Sequence, residues 1–211
     1  MKIQWNDITS EAYKTLIEFG QSSFPLSFDE IHLNNILIVS FREYSRRTGA
    51  HIADFTCNNE YNDALYIGVT RTGISLIIYN TDLYDRRLRH TLLHEIGHVK
   101  LYHKKHGAVE EIEAHFFAAQ ANAPNVIIKA IAQRGYTIDA KLLMDFFGLS
   151  RESAEKKMGY LNEYAFAHSN QYDDIILQLF ADTLDENFPK IPSSYDDDYY
   201  DDMESKRKNW N

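Results

Sequence analysis

The chain has 211 residues and a formal net charge of −9, with 22 Lys and Arg against 31 Asp and Glu. An apolar fraction of 44%, with 13% aromatic residues, is that of one globular domain, or one with a small appendage, and not of a disordered chain. The acidic balance argues against nucleic acid as the main partner, because non-specific affinity for it comes from Lys and Arg, and these concentrate only at Arg86 to His90 and Lys206 to Lys208.

The N-terminal stretch MKIQWNDITSEAYK has no apolar core of signal-peptide length, so a cytosolic protein is expected. Ile8 to Gly20 reads as an amphipathic helix with a cap at Thr9 or Ser10 and a stop at Gly20. A short helix is expected from Ser27. NILIVSF then reads as a buried strand and REYSRRTG as a polar helix ended by Gly49. No run of eighteen apolar residues occurs, so no membrane span and no membrane partner is expected. Ala64 to Asn80 predicts a hairpin about RTG, where Gly73 supplies a positive φ.

From Asp85 the pattern turns helical. One helix is predicted over Asp85 to His103, a second over Val109 to Ala123, and a third over Asn125 to Arg134. Ile138 to Leu161 reads as helix, turn and helix, with Ser150 as N-cap, and Ile175 to Leu184 as a last helix. The segments so defined are an N-terminal helix (1–23), a central domain (24–135), a helical extension (136–188) and an acidic tail (189–211) whose composition predicts disorder. The fold class expected is α+β: a small, mainly antiparallel sheet packed on a helical layer.

The chemistry concentrates in His94-Glu95-Ile96-Gly97-His98, an H-E-x-x-H motif. On a helix, residues four apart lie about 40° apart around the axis, so both imidazoles reach one cation. Glu95, about 100° from His94, falls beside a water at that cation. A catalytic zinc takes three protein ligands and leaves one position open. Cys57 is the single cysteine, so such a site needs His and carboxylate donors; its absence of partners also excludes an internal disulfide and suits a reducing compartment. The second helix offers Glu110, Glu111, Glu113 and His115. Glu113 is the expected third ligand, being assigned to the same face as Ala114, Phe117 and Ala121. Glu110 is the alternative, and Glu111 and His115 are assigned to the opposite, wetter flank. Gly97 costs about 1 kcal/mol in a helix relative to Ala, which implies close packing at that turn.

These residues resemble the ImmA/IrrE metallo-endopeptidases. The likeness rests on RHTLLHEIGH (Arg89 to His98) with Leu101 and His103, and on Glu113-Ala114-His115-Phe116-Phe117-Ala118-Ala119 ending at Pro124. It extends from about Phe24 to Leu161. His90 stands where Phe is usual, His115 where Asn is usual, and Ala121-Asn122 where two Leu are usual; none of these removes a ligand or the base. The resemblance implies a zincin-like fold of gluzincin type. It also implies zinc on His94, His98 and Glu113, Glu95 as general base, and a helix-turn-helix repressor of a mobile element, prophage or stress response as the protein substrate. The strand ISLIIYN is expected to offer an edge to that substrate. Two other functions compete: a DNA-binding regulator using Asp139 to Leu161, which carries no net charge, and a non-catalytic binding module, which would have no need of Glu95. No residue pattern indicates an oligomeric state.

Overall fold

Three strands make the sheet on which the helices rest. The computed structural model describes residues 3–28, 31, 33–51, 56–57, 60–61, 63–69, 71, 73–105, 107–161 and 169–191. Strand β1 (Ile36–Ser40) pairs in parallel with β5 (Ser75–Tyr79), and β5 pairs antiparallel with β4 (Ala64–Val69). Two short strands, β2 (Thr56–Cys57) and β3 (Glu60–Tyr61), form a separate antiparallel pair. The α+β class is as expected, and the parallel β1–β5 pair makes the sheet mixed.

Both faces of β5 are covered, which explains its unbroken apolar run. Ile77 joins the main core beside Ile36, Ile38 and Tyr66. Ile78 faces the other way, onto Phe41 at the start of helix α2 (Phe41–Thr48), with Val39 and Leu65 around it. Ser40 caps α2 by accepting from the Glu43 N–H at 3.1 Å.

Helices α1 (Trp5–Phe19), α3 (Asp85–Lys100), α4 (Ala108–Asn122) and α5 (Asn125–Gln133) build the main layer. Ala114, Phe117, Ala118 and Ala121 form the buried stripe of α4. Gly97 lets α3 press against that stripe. A Cβ there would meet Phe117 Cδ1 at 3.0 Å and the Ala114 Cα at 3.3 Å, so the close packing expected from this glycine is present. Lys100 pairs with Glu18 and so ties the end of α3 to α1.

Helices α6 (Ala140–Phe146) and α7 (Arg151–Leu161) form the helix–turn–helix, and Ser150 caps α7 through the Ser153 N–H at 3.1 Å. The turn between them is fastened to α3. Arg89 donates to the Gly148 carbonyl at 3.3 Å and Arg86 to that of Leu149 at 3.2 Å. Gly148 has φ +68°, and a Cβ would lie 2.5 Å from the Arg89 guanidinium, so only glycine fits this contact.

Two elements differ from expectation. The helix expected from Ser27 falls in part on residues outside the described ones; the described Ser27, Phe28 and Ile31 are not helical, and the Gln21 side chain holds the Ser27 backbone, with Ser27 N–H donating to Gln21 Oε1 at 2.9 Å and the Ser27 carbonyl accepting from Nε2 at 2.5 Å. The last expected helix is two, α8 (Asp173–Leu179) and α9 (Ala181–Asn187). They break at buried Phe180, whose ring stacks on Phe24 with centroids 4.4 Å apart. The acidic tail lies outside the described residues except for 189–191. No described helix is long and apolar enough to cross a membrane.

Candidate metal centre

Helix α3 brings His94 and His98 to one side of the α3–α4 crossing. Their Nε2 atoms face each other at 3.1 Å. The carboxylate that meets them is that of Glu111, with Oε2 3.2 Å from His94 Nε2 and Oε1 3.5 Å from His98 Nε2. The two imidazole nitrogens lie 3.1 Å apart, and each has its own oxygen of the Glu111 carboxylate at 3.2 or 3.5 Å, a spacing that suits zinc. Tetrahedral bonds of about 2.0–2.1 Å hold donor atoms about 3.3 Å apart. The residues therefore fit a zinc-sized ion.

Glu113, the expected third ligand, lies elsewhere in this structure. Its Oε2 meets His103 Nε2 at 3.1 Å, behind the His98 ring. Residues two apart on a helix differ by about 200°, so Glu111 and Glu113 flank the α4 stripe on opposite shoulders and only one can look into the cleft. The crossing of α3 over α4 selects the shoulder of Glu111. Glu110, the alternative, turns back toward the α3–α4 connection, with Lys105 Nζ 3.8 Å from its Oε1. The sequence did hold a signal for Glu111: it stands four residues before His115, which puts two polar groups on one shoulder of a core-facing helix.

His115 lies at the mouth. It is exposed, its ring 4.4 Å from that of His94 and stacked on His90 at 5.6 Å. Donors of His94, Glu111 and His115 also come within 4.8 Å of one another, so a second three-residue set overlaps the first. The set with His98 is tighter, and His98 is buried with its other nitrogen held by His103, at 2.9 Å between Nδ1 atoms. We therefore take His98, and not exposed His115, as the third donor beside His94 and Glu111.

Electrostatics keep the histidines ready to donate lone pairs. Burial drives His94 down to about 3, with His115 and His98 adding to the effect. Burial likewise takes His90 to about 4, with help from His115 and Lys156. Both rings are neutral at physiological pH, the form that a metal needs. Glu95 follows His94 directly and is buried. His103, just beyond the end of α3, is mostly enclosed, with 6% of its side chain accessible.

The family model of the IrrE N-terminal-like domain, Peptidase_M78, matches residues 47–158, just over half of the chain. The chain belongs to the Peptidase_M78 family. Every donor described above falls inside the matched span, and membership of this M78 family gives the chain its general class, a metallopeptidase. No curated protein matches this M78 chain.

Proposed function

We propose that this chain is a zinc-dependent endopeptidase that cuts one specific cytosolic protein, a helix-turn-helix repressor of a mobile element, prophage or stress response. The observation that carries the reading is the convergence of His94, His98 and Glu111 on one point, with buried Glu95 adjacent. His94, His98 and Glu111 would hold the ion. A zinc bound there supplies Lewis acidity, which polarises a carbonyl and makes a nearby water more acidic.

Glu95 takes the proton of the attacking water and passes it to the leaving amine nitrogen. His115, beside His94 at the open side, is placed to donate a hydrogen bond to the carbonyl oxygen as it gains charge. Substrate binding by main-chain pairing falls to β4 and not to the ISLIIYN strand. That strand, β5, is the central one and has both edges used, whereas β4 is a sheet edge among the described residues and touches α3. Val69 on β4 is 66% exposed, which leaves apolar surface beside that edge.

The DNA-binding alternative finds little support in α7. Arg151 pairs with Glu155 and Lys156 with Glu152 along the helix, while Lys157 is buried against the Ala119 carbonyl at 3.3 Å. These cations are committed within the protein and not offered to phosphates.

Glu95→Gln tests the reading. Wild-type and variant protein are co-expressed with helix-turn-helix repressors, and the products are read by mass spectrometry. The variant is expected to keep its zinc and lose cleavage by about 10²-fold or more. Cleavage at the wild-type rate by Glu95→Gln contradicts the mechanism.

A further inference from the structure

Helix α3 ends in a turn that has a second use. The Tyr102 N–H donates to the Val99 carbonyl at 3.1 Å and the His103 N–H to the His98 carbonyl at 3.0 Å. This is the Schellman pattern, in which the residue after the cap is left-handed and usually glycine. Here that residue is Tyr102, at φ +57° and 86% exposed. A tyrosine in this conformation costs about 1 kcal/mol or more and its ring buries little in return.

The turn's effect is to lay His103 over His98. In such motifs an apolar contact commonly joins these two positions. Here two imidazoles meet, Nδ1 to Nδ1 at 2.9 Å, with ring centroids 5.0 Å apart and planes at 73°. On its far side His103 Nε2 meets Glu113 Oε2 at 3.1 Å.

With both rings neutral, one proton order satisfies the chain of contacts. An ionised carboxylate only accepts, so His103 carries its hydrogen on Nε2. Its Nδ1 then has a lone pair and accepts from His98 Nδ1–H. His98 Nε2 is left bare, and that is the atom 3.1 Å from His94 Nε2 and 3.5 Å from Glu111. We infer that Glu113 and His103 are positioning residues: their two hydrogen bonds fix the tautomer and ring orientation of His98 so that its Nε2 lone pair points into the α3–α4 cleft. As a consequence for metal affinity, this rests on the zinc-peptidase reading; as a statement about tautomer, it does not.

His94 has no equivalent support. Its Nδ1 is buried and lacks a hydrogen-bond partner among the described residues. His98 is therefore the ring on which the relay acts, and the strained turn at Tyr102 exists to serve it.

The test uses the full chain, metal-free, with ¹⁵N-labelled histidine. Two-bond ¹⁵N–¹H correlations are expected to show His98 protonated on Nδ1 and His103 on Nε2. His103→Phe keeps the ring volume and removes both polar contacts; Glu113→Ala removes the anchor and leaves the turn intact. In either variant His98 is expected to lose its single tautomer, and zinc affinity by chelator competition to fall about 10–100-fold. A wild-type His98 protonated on Nε2, or a tautomer unchanged in both variants, overturns the relay. A relay seen in the tautomers of a protein that binds no zinc upholds the proton order and sinks the peptidase reading instead.

Discussion

At the scale of single residues, charge placement separates the groups that work from the groups that support. Lys157 belongs to the second kind. Its ammonium is buried beneath α4, and burial pushes its pKa from 10.5 down to about 7. Between those values the unfolded chain holds a proton that the folded chain does not, so stability contributed by this site rises with pH from 7 to 10.5. Replacing Lys157 with Met removes the cost of burying the charge. Lys157→Met should raise Tm by several degrees at pH 6 and by less at pH 10, measured by scanning calorimetry at both; an equal shift at the two values would mean that the lysine pays no such cost. The same scale holds the main difference between the sequence reading and the structure. H-E-x-x-H gave His94, His98 and Glu95 directly, because four-residue spacing on a helix permits one geometry. Glu111 was within reach but ranked below Glu113, since helical spacing defines a stripe and its two shoulders without saying which shoulder faces the partner helix. His103 lies beyond the end of α3, and the left-handed turn at Tyr102 returns it to His98, a contact that helical spacing does not reveal.

At the scale of elements, the α3–α4 crossing decides whether the donors meet. Gly97 sets its separation. Ala at this position would gain about 1 kcal/mol of helix propensity. Its Cβ would also press on the Ala114 backbone and the Phe117 ring at 3.3 and 3.0 Å, at a cost of about 1–3 kcal/mol. Gly97→Ala is therefore expected to lower Tm and to weaken zinc binding as Glu111 moves away from the histidines. A variant with raised Tm and unchanged zinc affinity would show that propensity wins and that the crossing has slack. The helices on either side of this crossing were legible to within a few residues, since each carries strong periodicity and flanking stop residues. The parallel pairing of β1 with β5 was not, because strand direction depends on the path of residues 41–74 and leaves no mark on either strand's pattern. At Ser27, where a short helix is expected, a side chain six residues away holds the backbone, a contact that no local pattern announces.

At the scale of the whole molecule, one core runs from Ile8 in α1 to Phe188 beyond α9. The N-terminal helix and the C-terminal helical segment contribute to the same apolar cluster as the matched peptidase span, so they buttress the helices that carry the donors. Arg86 and Arg89 illustrate this: they spend the chain's densest basic run on the α6–α7 turn. What the whole arrangement delivers is two imidazole nitrogens 3.1 Å apart with the Glu111 carboxylate 3.2 to 3.5 Å from them, and buried Glu95 next to His94 in the chain. The most direct test is zinc content of the purified wild-type protein beside Glu111→Gln and Glu113→Gln, by atomic emission after dialysis against limiting zinc. About one zinc per chain is expected in the wild type, with loss in Glu111→Gln and retention, at lower affinity, in Glu113→Gln. Retention in Glu111→Gln with loss in Glu113→Gln would contradict this expectation.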